Sequence, residues 1–165
     1  VFDACKMAEQ GMTGSQIKQR LEEEALDATI YIAVDTLEYL KKGGRITPAA
    51  AALGTLLKLK PVLQIQGVKA GLLCESKNSQ TAKNIMIKQI KDDCERRFGS
   101  ADWHWCTYSM AYTHDLEAAE EFKKEVQAAF PNHEIVLNPL SLSIACHIGP
   151  GALAVTATKA IEVDA

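Results

Sequence analysis

The sequence predicts an α/β domain of the α+β kind, with two layers, a mixed sheet of about six strands, and helices packed mainly on one face. Helical and strand-like patterns alternate along most of its 165 residues, as layered α/β domains require. One hairpin, residues 61–75 around Gly67, breaks that alternation, so the sheet cannot be purely parallel. Six strand-like runs make an ordinary sheet. The length suits one domain with a proper core and is marginal for two.

Residues 1–10 read as a helix stopped by Gly11, and Thr13 or Ser15 can cap a second helix over 16–25, where Ile17 and Leu21 form an i, i+4 apolar pair. The β-rich run Thr29-Ile-Tyr-Ile-Ala-Val reads as a mostly buried strand. Asp35 follows as the expected cap of a short helix over 37–42. That helix ends in Lys41-Lys42-Gly43-Gly44. Glycine reaches a left-handed backbone easily, and cations suit the negative helix end. Pro48 fits the first turn of a further helix, and 49–57 is small and apolar nearly all round. Residues 61–66 and 68–75 form the hairpin. A long amphipathic helix covers 79–98, with Ala82, Ile85, Met86, Gln89 and Ile90 inward and Gly99 as its stop. Residues 103–112 alternate over ten positions as a strand, 115–130 is helical up to Pro131-Asn132, and 133–137 is a strand. A helical turn at 141–146 and a last strand at 152–157 complete the chain.

Bulk properties exclude several classes. Hydrophobic residues at 47% and charged residues at 24% are those of an ordinary globular protein. A net charge of −3 gives no reason to expect a nucleic-acid partner. No apolar run is long enough for a transmembrane segment, and no secretory signal is visible. Cys5, Cys74, Cys94, Cys106 and Cys146 are scattered without a Cys-x-x-Cys pair, which argues for reduced thiols and a cytoplasmic setting. Val1 opens inside a helical pattern without an initiator methionine, so the sequence reads as a fragment or a processed piece.

His147 is the first candidate for chemistry. It precedes Gly149-Pro150-Gly151, a rigid turn that brings backbone amides close to a ligand. Ser143 lies four residues earlier, on the same face of a helical turn. Imidazole, hydroxyl and amides together can hold a carboxylate; the same residues also read as a capping histidine beside a sharp turn. Arg45 is the second candidate. Its guanidinium presents a fork of donors matched to carboxylate or phosphate, and it also reads as a surface arginine paired with a neighbouring acid. An arginine beside the small apolar helix at 49–57 outlines an amphiphile's binding site, with Ala51 and Gly54 leaving room beside the backbone. The bland alternative is a helix cap followed by a core helix. A Ser143, His147 and Asp35 hydrolase lacks the Gly-x-Ser-x-Gly elbow that would support it. His104, Cys106 and His114 lack a fourth metal ligand at useful spacing, so no metal or cofactor is implied.

The run Leu37-Glu-Tyr-Leu-Lys-Lys-Gly-Gly-Arg-Ile-Thr, followed by Leu59-Lys-Pro-Val-Leu, resembles the signature of the DegV family, bacterial fatty-acid-binding proteins. His147-Ile-Gly-Pro-Gly-Ala-Leu resembles that family's closing motif. The resemblance implies that 27–165 is the family's C-terminal lipid-binding domain, a two-layer α/β unit, and that 1–26 is a helical lead-in from the junction with a missing N-terminal domain. It implies an apolar pocket for a long-chain fatty acid, with the carboxyl at the domain junction and the acyl group presented to a fatty acid kinase, the protein itself catalysing nothing. His147 then hydrogen-bonds the carboxylate, helped by Ser143, Gly149 and Gly151. Arg45 stands at the mouth and faces the kinase. Lys77 occupies a place where many relatives have arginine, and a lysine cannot replace a bidentate contact. The missing N-terminal domain would supply hydroxyls to the same carboxylate. The alternative from another class is a small hydrolase, or an acyl or phosphoryl transferase, acting at His147.

Overall fold

The computed structural model describes residues 1–45, 60–66, 69–99 and 106–160. The expected helix at 49–57, with Ala51 and Gly54, and the start of the strand at 103–105 lie outside the described residues. The elements run α1 (Phe2–Glu9), α2 (Gly14–Glu23), β1 (Ala28–Ala33), α3 (Glu38–Lys42), β2 (Lys60–Gln66), β3 (Lys69–Ser76), α4 (Ser79–Arg96), β4 (Cys106–Tyr112), α5 (Leu116–Ala129), β5 (Ile135–Pro139), α6 (Leu142–Ile148) and β6 (Leu153–Lys159).

Local chemistry sets the helix starts. Thr13 closes a reciprocal capping box with Gln16 at the start of α2. Asn78 Oδ1 accepts from the Thr81 amide at 2.8 Å, and Asp115 Oδ1 from the Ala118 amide at 3.0 Å. Such caps satisfy amide donors that the first helical turn leaves unpaired. The start of α3 departs from expectation. Asp35 does not cap it; the Thr36 hydroxyl accepts from the Glu38 amide at 3.2 Å.

The sheet order is β3-β2-β1-β6-β4-β5. Among the described residues, only β4 and β5 pair in parallel, joined through α5; the other neighbours are antiparallel. Side chains alternate across the sheet, so β1, β2, β4 and β6 serve two cores. On one face Tyr31, Tyr108, Met110 and Val155 pack with Met86 and Ile90 of α4 and with Phe122 and Val126 of α5. On the other, Ile32, Val34 and Ala154 pack with Leu37, Leu40 and Ile148 around α3 and α6. The two long helices thus share one face, and the two short ones cover part of the other. Ile30, Leu63 and Ile65, on that second face, remain half-buried.

Several boundaries move by one or two residues: the second helix runs over 14–23 rather than 16–25, and the last strand over 153–159 rather than 152–157. The fifth strand begins at Ile135 rather than 133: the His133 amide is bonded to Phe130 O at 3.2 Å in the preceding turn, and its ring stands edge-on to Tyr108, 4.8 Å between centroids. The turn at 141–146 is a full helix extending to Ile148, which places His147 in its last turn. In α4, Ala82, Met86 and Ile90 are buried as expected, Ile85 and Gln89 are half-buried, and Asp93 and Cys94 extend the buried stripe. Asp93 is tolerated there because Tyr31 Oη donates to it at 2.7 Å and the Arg97 guanidinium stands 3.6 Å away. Burial raises the Tyr31 phenol's pKa, and the Asp93 carboxylate beside it acts in the same direction. Among the described residues, no helix is long and apolar enough to cross a membrane.

Candidate functional site

The site forms where the C-terminal ends of α3 and α6 meet on the second face of the sheet. Helix α3 closes with Gly44 at φ 67°, its amide bonded to Lys41 O at 3.0 Å, while the Arg45 amide reaches Leu40 O at 2.8 Å. These are the two bonds of a Schellman ending, as the paired glycines suggested. Helix α6 ends in Gly149 at φ 83°, and Gly151 follows at φ 76°.

Three glycines then fit three side chains. A Cβ on Gly43 would stand 2.7 Å from His147 Nδ1, so the imidazole fills the space beside that bare backbone. A Cβ on Gly149 would stand 2.5 Å from Tyr39 Cδ2, and one on Gly151 would stand 2.6 Å from Asp35 Oδ2. The first motif thus supplies the seat for His147, and the second supplies the seats for Tyr39 and Asp35. The two motifs interlock across the fold, although they lie at opposite ends of the sequence.

Charge gathers around this junction. Asp35 Oδ1 pairs with Lys60 Nζ at 2.7 Å, with both partners partly exposed. Arg45 is exposed and donates to Gly43 O at 3.3 Å. Lys42 Nζ lies 5.6 Å from the Tyr39 ring centroid. Lys77 is exposed just beyond β3, whose last residue, Ser76, pairs with Lys60. The rim therefore carries more cations than carboxylates, and behind it lies the half-buried apolar face of Ile30, Leu63 and Ile65.

His147 is half-buried, and its imidazole makes no hydrogen bond among the described residues; packing against Gly43 holds it. Ser143 is exposed, and its hydroxyl pairs with Ser141 Oγ at 2.9 Å rather than with His147. Asp35 is committed to Lys60, so no hydrogen-bonded chain links Ser143, His147 and Asp35 in this structure. Among the described residues, no cluster of His, Cys, Asp and Glu could hold a metal. A cavity of about 710 Å³ opens between α1 and the β4 side of the sheet, where Phe2, Lys6, Ser109 and Thr158 line it; Ser109 is in register with Thr156 and Thr156 with Ile30, so it borders the same second face.

Sequence reasoning missed Tyr39, Lys60 and Thr113. The first two sit inside the quoted motifs, and glycine at 149 was the available hint that an aromatic ring approaches. Thr113 carries no local signal. It is buried, and its hydroxyl donates to Gly149 O at 2.7 Å and accepts from the Ala152 amide at 2.9 Å.

The comparisons agree with this architecture. The family described as "Uncharacterised protein, DegV family" matches residues 1–160. A DegV domain-containing protein of Clostridium perfringens is 30% identical over 155 residues, 94% of this chain and 52% of that protein. A fatty-acid-binding DegV family protein from Thermus thermophilus has a similar structure, with a TM-score of 0.80 at 30% identity, over 96% of this chain and 55% of that one. A stearic-acid-binding protein from Eubacterium ventriosum gives 0.79 at 26% identity, over 95% and 53% of the two chains. The chain spans about half the length of these relatives. A family match along almost the whole chain and a shared mixed-sheet fold have one reading: this chain belongs to the DegV family.

Proposed function

We propose that the chain binds a long-chain fatty acid, with the carboxylate beside His147 and the hydrocarbon along the apolar second face of the sheet. The observation that carries this reading is an imidazole without a hydrogen bond among the described residues, standing at a cationic rim that opens onto half-buried Ile30, Leu63 and Ile65. An acyl chain gains about 0.8 kcal/mol per buried CH₂, which favours such a surface. A carboxylate leaving water needs hydrogen bonds in return, and the His147 imidazole can donate one; the Gly149 and Gly151 amides are already bonded to Ala145 O and Thr113 O, and Pro150 has no N–H, so the turn places the imidazole rather than donating itself. The fatty-acid-binding relatives support the ligand class. The half of those relatives that this chain does not match supplies the remaining donors to the carboxylate.

The protein is a cytoplasmic carrier rather than a catalyst. Arg45 and Lys77 stand on the rim, where they present the bound acyl group to a fatty acid kinase, as the sequence resemblance implies. The test is a titration of parent and His147→Ala protein with palmitate, beside an ester hydrolysis assay. Loss of one donor to a buried carboxylate costs about 1–3 kcal/mol, or one to two decades of affinity. Ester turnover that vanishes in the variant while palmitate binding stays parental would replace the carrier by a hydrolase.

A further inference from the structure

We infer that Thr113 is the positioning residue of this site: its hydroxyl locks the Gly149–Ala152 turn and so decides where His147 stands. The inference rests on the head-group reading above. Thr113 follows the last residue of β4 and is 5% exposed. Both hydrogen-bonding roles of its hydroxyl are used, one toward Gly149 O and one from the Ala152 amide. Its main chain adds two more bonds to the same turn: the Thr113 amide donates to Ala152 O at 3.0 Å, and Thr113 O accepts from the Gly151 amide at 3.0 Å. One residue thus grips the turn at three positions.

The grip matters because of what the turn seats. Gly149 receives the Tyr39 ring and Gly151 the Asp35 carboxylate, so the position of the turn fixes how α6 docks on α3. His147 lies two residues before Gly149 in the last turn of α6, against Gly43. A shift of the turn therefore carries the imidazole with it. The backbone next to Thr113 is held in an unusual state for this arrangement. His114 has φ 70°, the only positive φ outside glycine among the described residues. A left-handed conformation of that kind persists where surrounding contacts over-determine it.

Thr113→Val keeps the side-chain shape and deletes both hydroxyl bonds, leaving Gly149 O and the Ala152 amide buried without them. Thr113→Ser restores the hydroxyl. Tyr31→Phe serves as the comparison, because it removes a buried 2.7 Å hydrogen bond on the opposite face of the sheet. Three quantities are measured for each: the palmitate dissociation constant, the thermal midpoint, and the NMR signals of the His147 ring without ligand, assigned through His147→Gln. We expect Thr113→Val to weaken palmitate binding about tenfold and to move the His147 signals. Thr113→Ser should return both toward the parent, and Tyr31→Phe should lower the midpoint with binding unchanged. If Thr113→Val does not fold, Thr113→Cys, with its weak donor, is read in the same way. Parental binding and parental His147 signals in a Thr113 variant with a lowered midpoint would overturn the positioning role. Moved His147 signals with an unchanged dissociation constant would keep that role and overturn the head-group reading instead.

Discussion

Gly43→Ala separates the site from the fold with a single methyl group. Gly43 has φ −78° and ψ 0°, which alanine adopts without strain. The substitution also reduces the freedom of the unfolded chain, worth about 0.4–1 kcal/mol where the native conformation is compatible. Against that stands a contact of 3.3 Å between the new Cβ and Tyr39 O. The two effects offset each other in part, so the thermal midpoint should move by no more than about 2–4 °C. The imidazole is affected differently. His147 Nδ1 would lie 2.7 Å from the methyl carbon, while comfortable separation is about 3.5 Å, so the ring must retreat by about 0.8 Å or rotate away. A displacement of that size breaks a hydrogen bond to a bound carboxylate, at about 1–3 kcal/mol. The assay is isothermal titration with palmitate, alongside a thermal melt. One to two decades of weakened affinity with a near-parental melt is the expected outcome. Parental affinity would refute the reasoning, because it would show that the ligand is indifferent to where His147 rests.

Three other outcomes are expected. Arg45→Ala should leave lipid content near normal and sharply reduce kinase-dependent phosphorylation, since an exposed arginine contributes little to stability; equal phosphorylation of variant and parent would leave Arg45 as a helix-cap neighbour only. Ala51→Trp or Gly54→Trp should fill space intended for the acyl chain and weaken palmitate binding in folded protein; unchanged affinity in both would remove this segment from the site. Tyr31 and Tyr108 both have phenol pKa values raised by burial, so the stability their neutral forms provide is complete below about pH 10 and declines as pH rises further. Alkaline titration should therefore show part of the tyrosinate absorbance appearing together with loss of the circular-dichroism signal; full ionisation of all four tyrosines near pH 10 in a folded protein would contradict it.

What the sequence could determine alone was whatever depends on neighbours a few residues apart. Hydrophobic period marked the strands and helices, and Thr13 was one of two residues that could cap α2, because a cap binds an amide three positions on. Gly43-Gly44 after two lysines likewise marked the end of α3, a purely local event. The two motifs could be recognised as a family's pattern without any structure. Tertiary structure decided whatever depended on competition between local and distant partners. Asp35 stood where a cap belongs, yet it went to Lys60, because pairing of β1 with β2 brings that ammonium within reach and Thr36 takes over a bond to α3. Asp93 carries no local mark of burial; it sits in the buried stripe of α4 because the fold delivers the Tyr31 hydroxyl to it, with Arg97 one turn further along the helix. Ser143 and His147 shared a helical face as expected, but the nearer Ser141 claimed the hydroxyl. The glycines show the division most plainly. Sequence reveals that the backbone at 43, 149 and 151 lacks a side chain, but only the docking of α6 on α3 decides that His147, Tyr39 and Asp35 fill those gaps. Thr113 has no such local mark at all, because its partners at 149, 151 and 152 become neighbours only when β4 and β6 pair in the folded sheet.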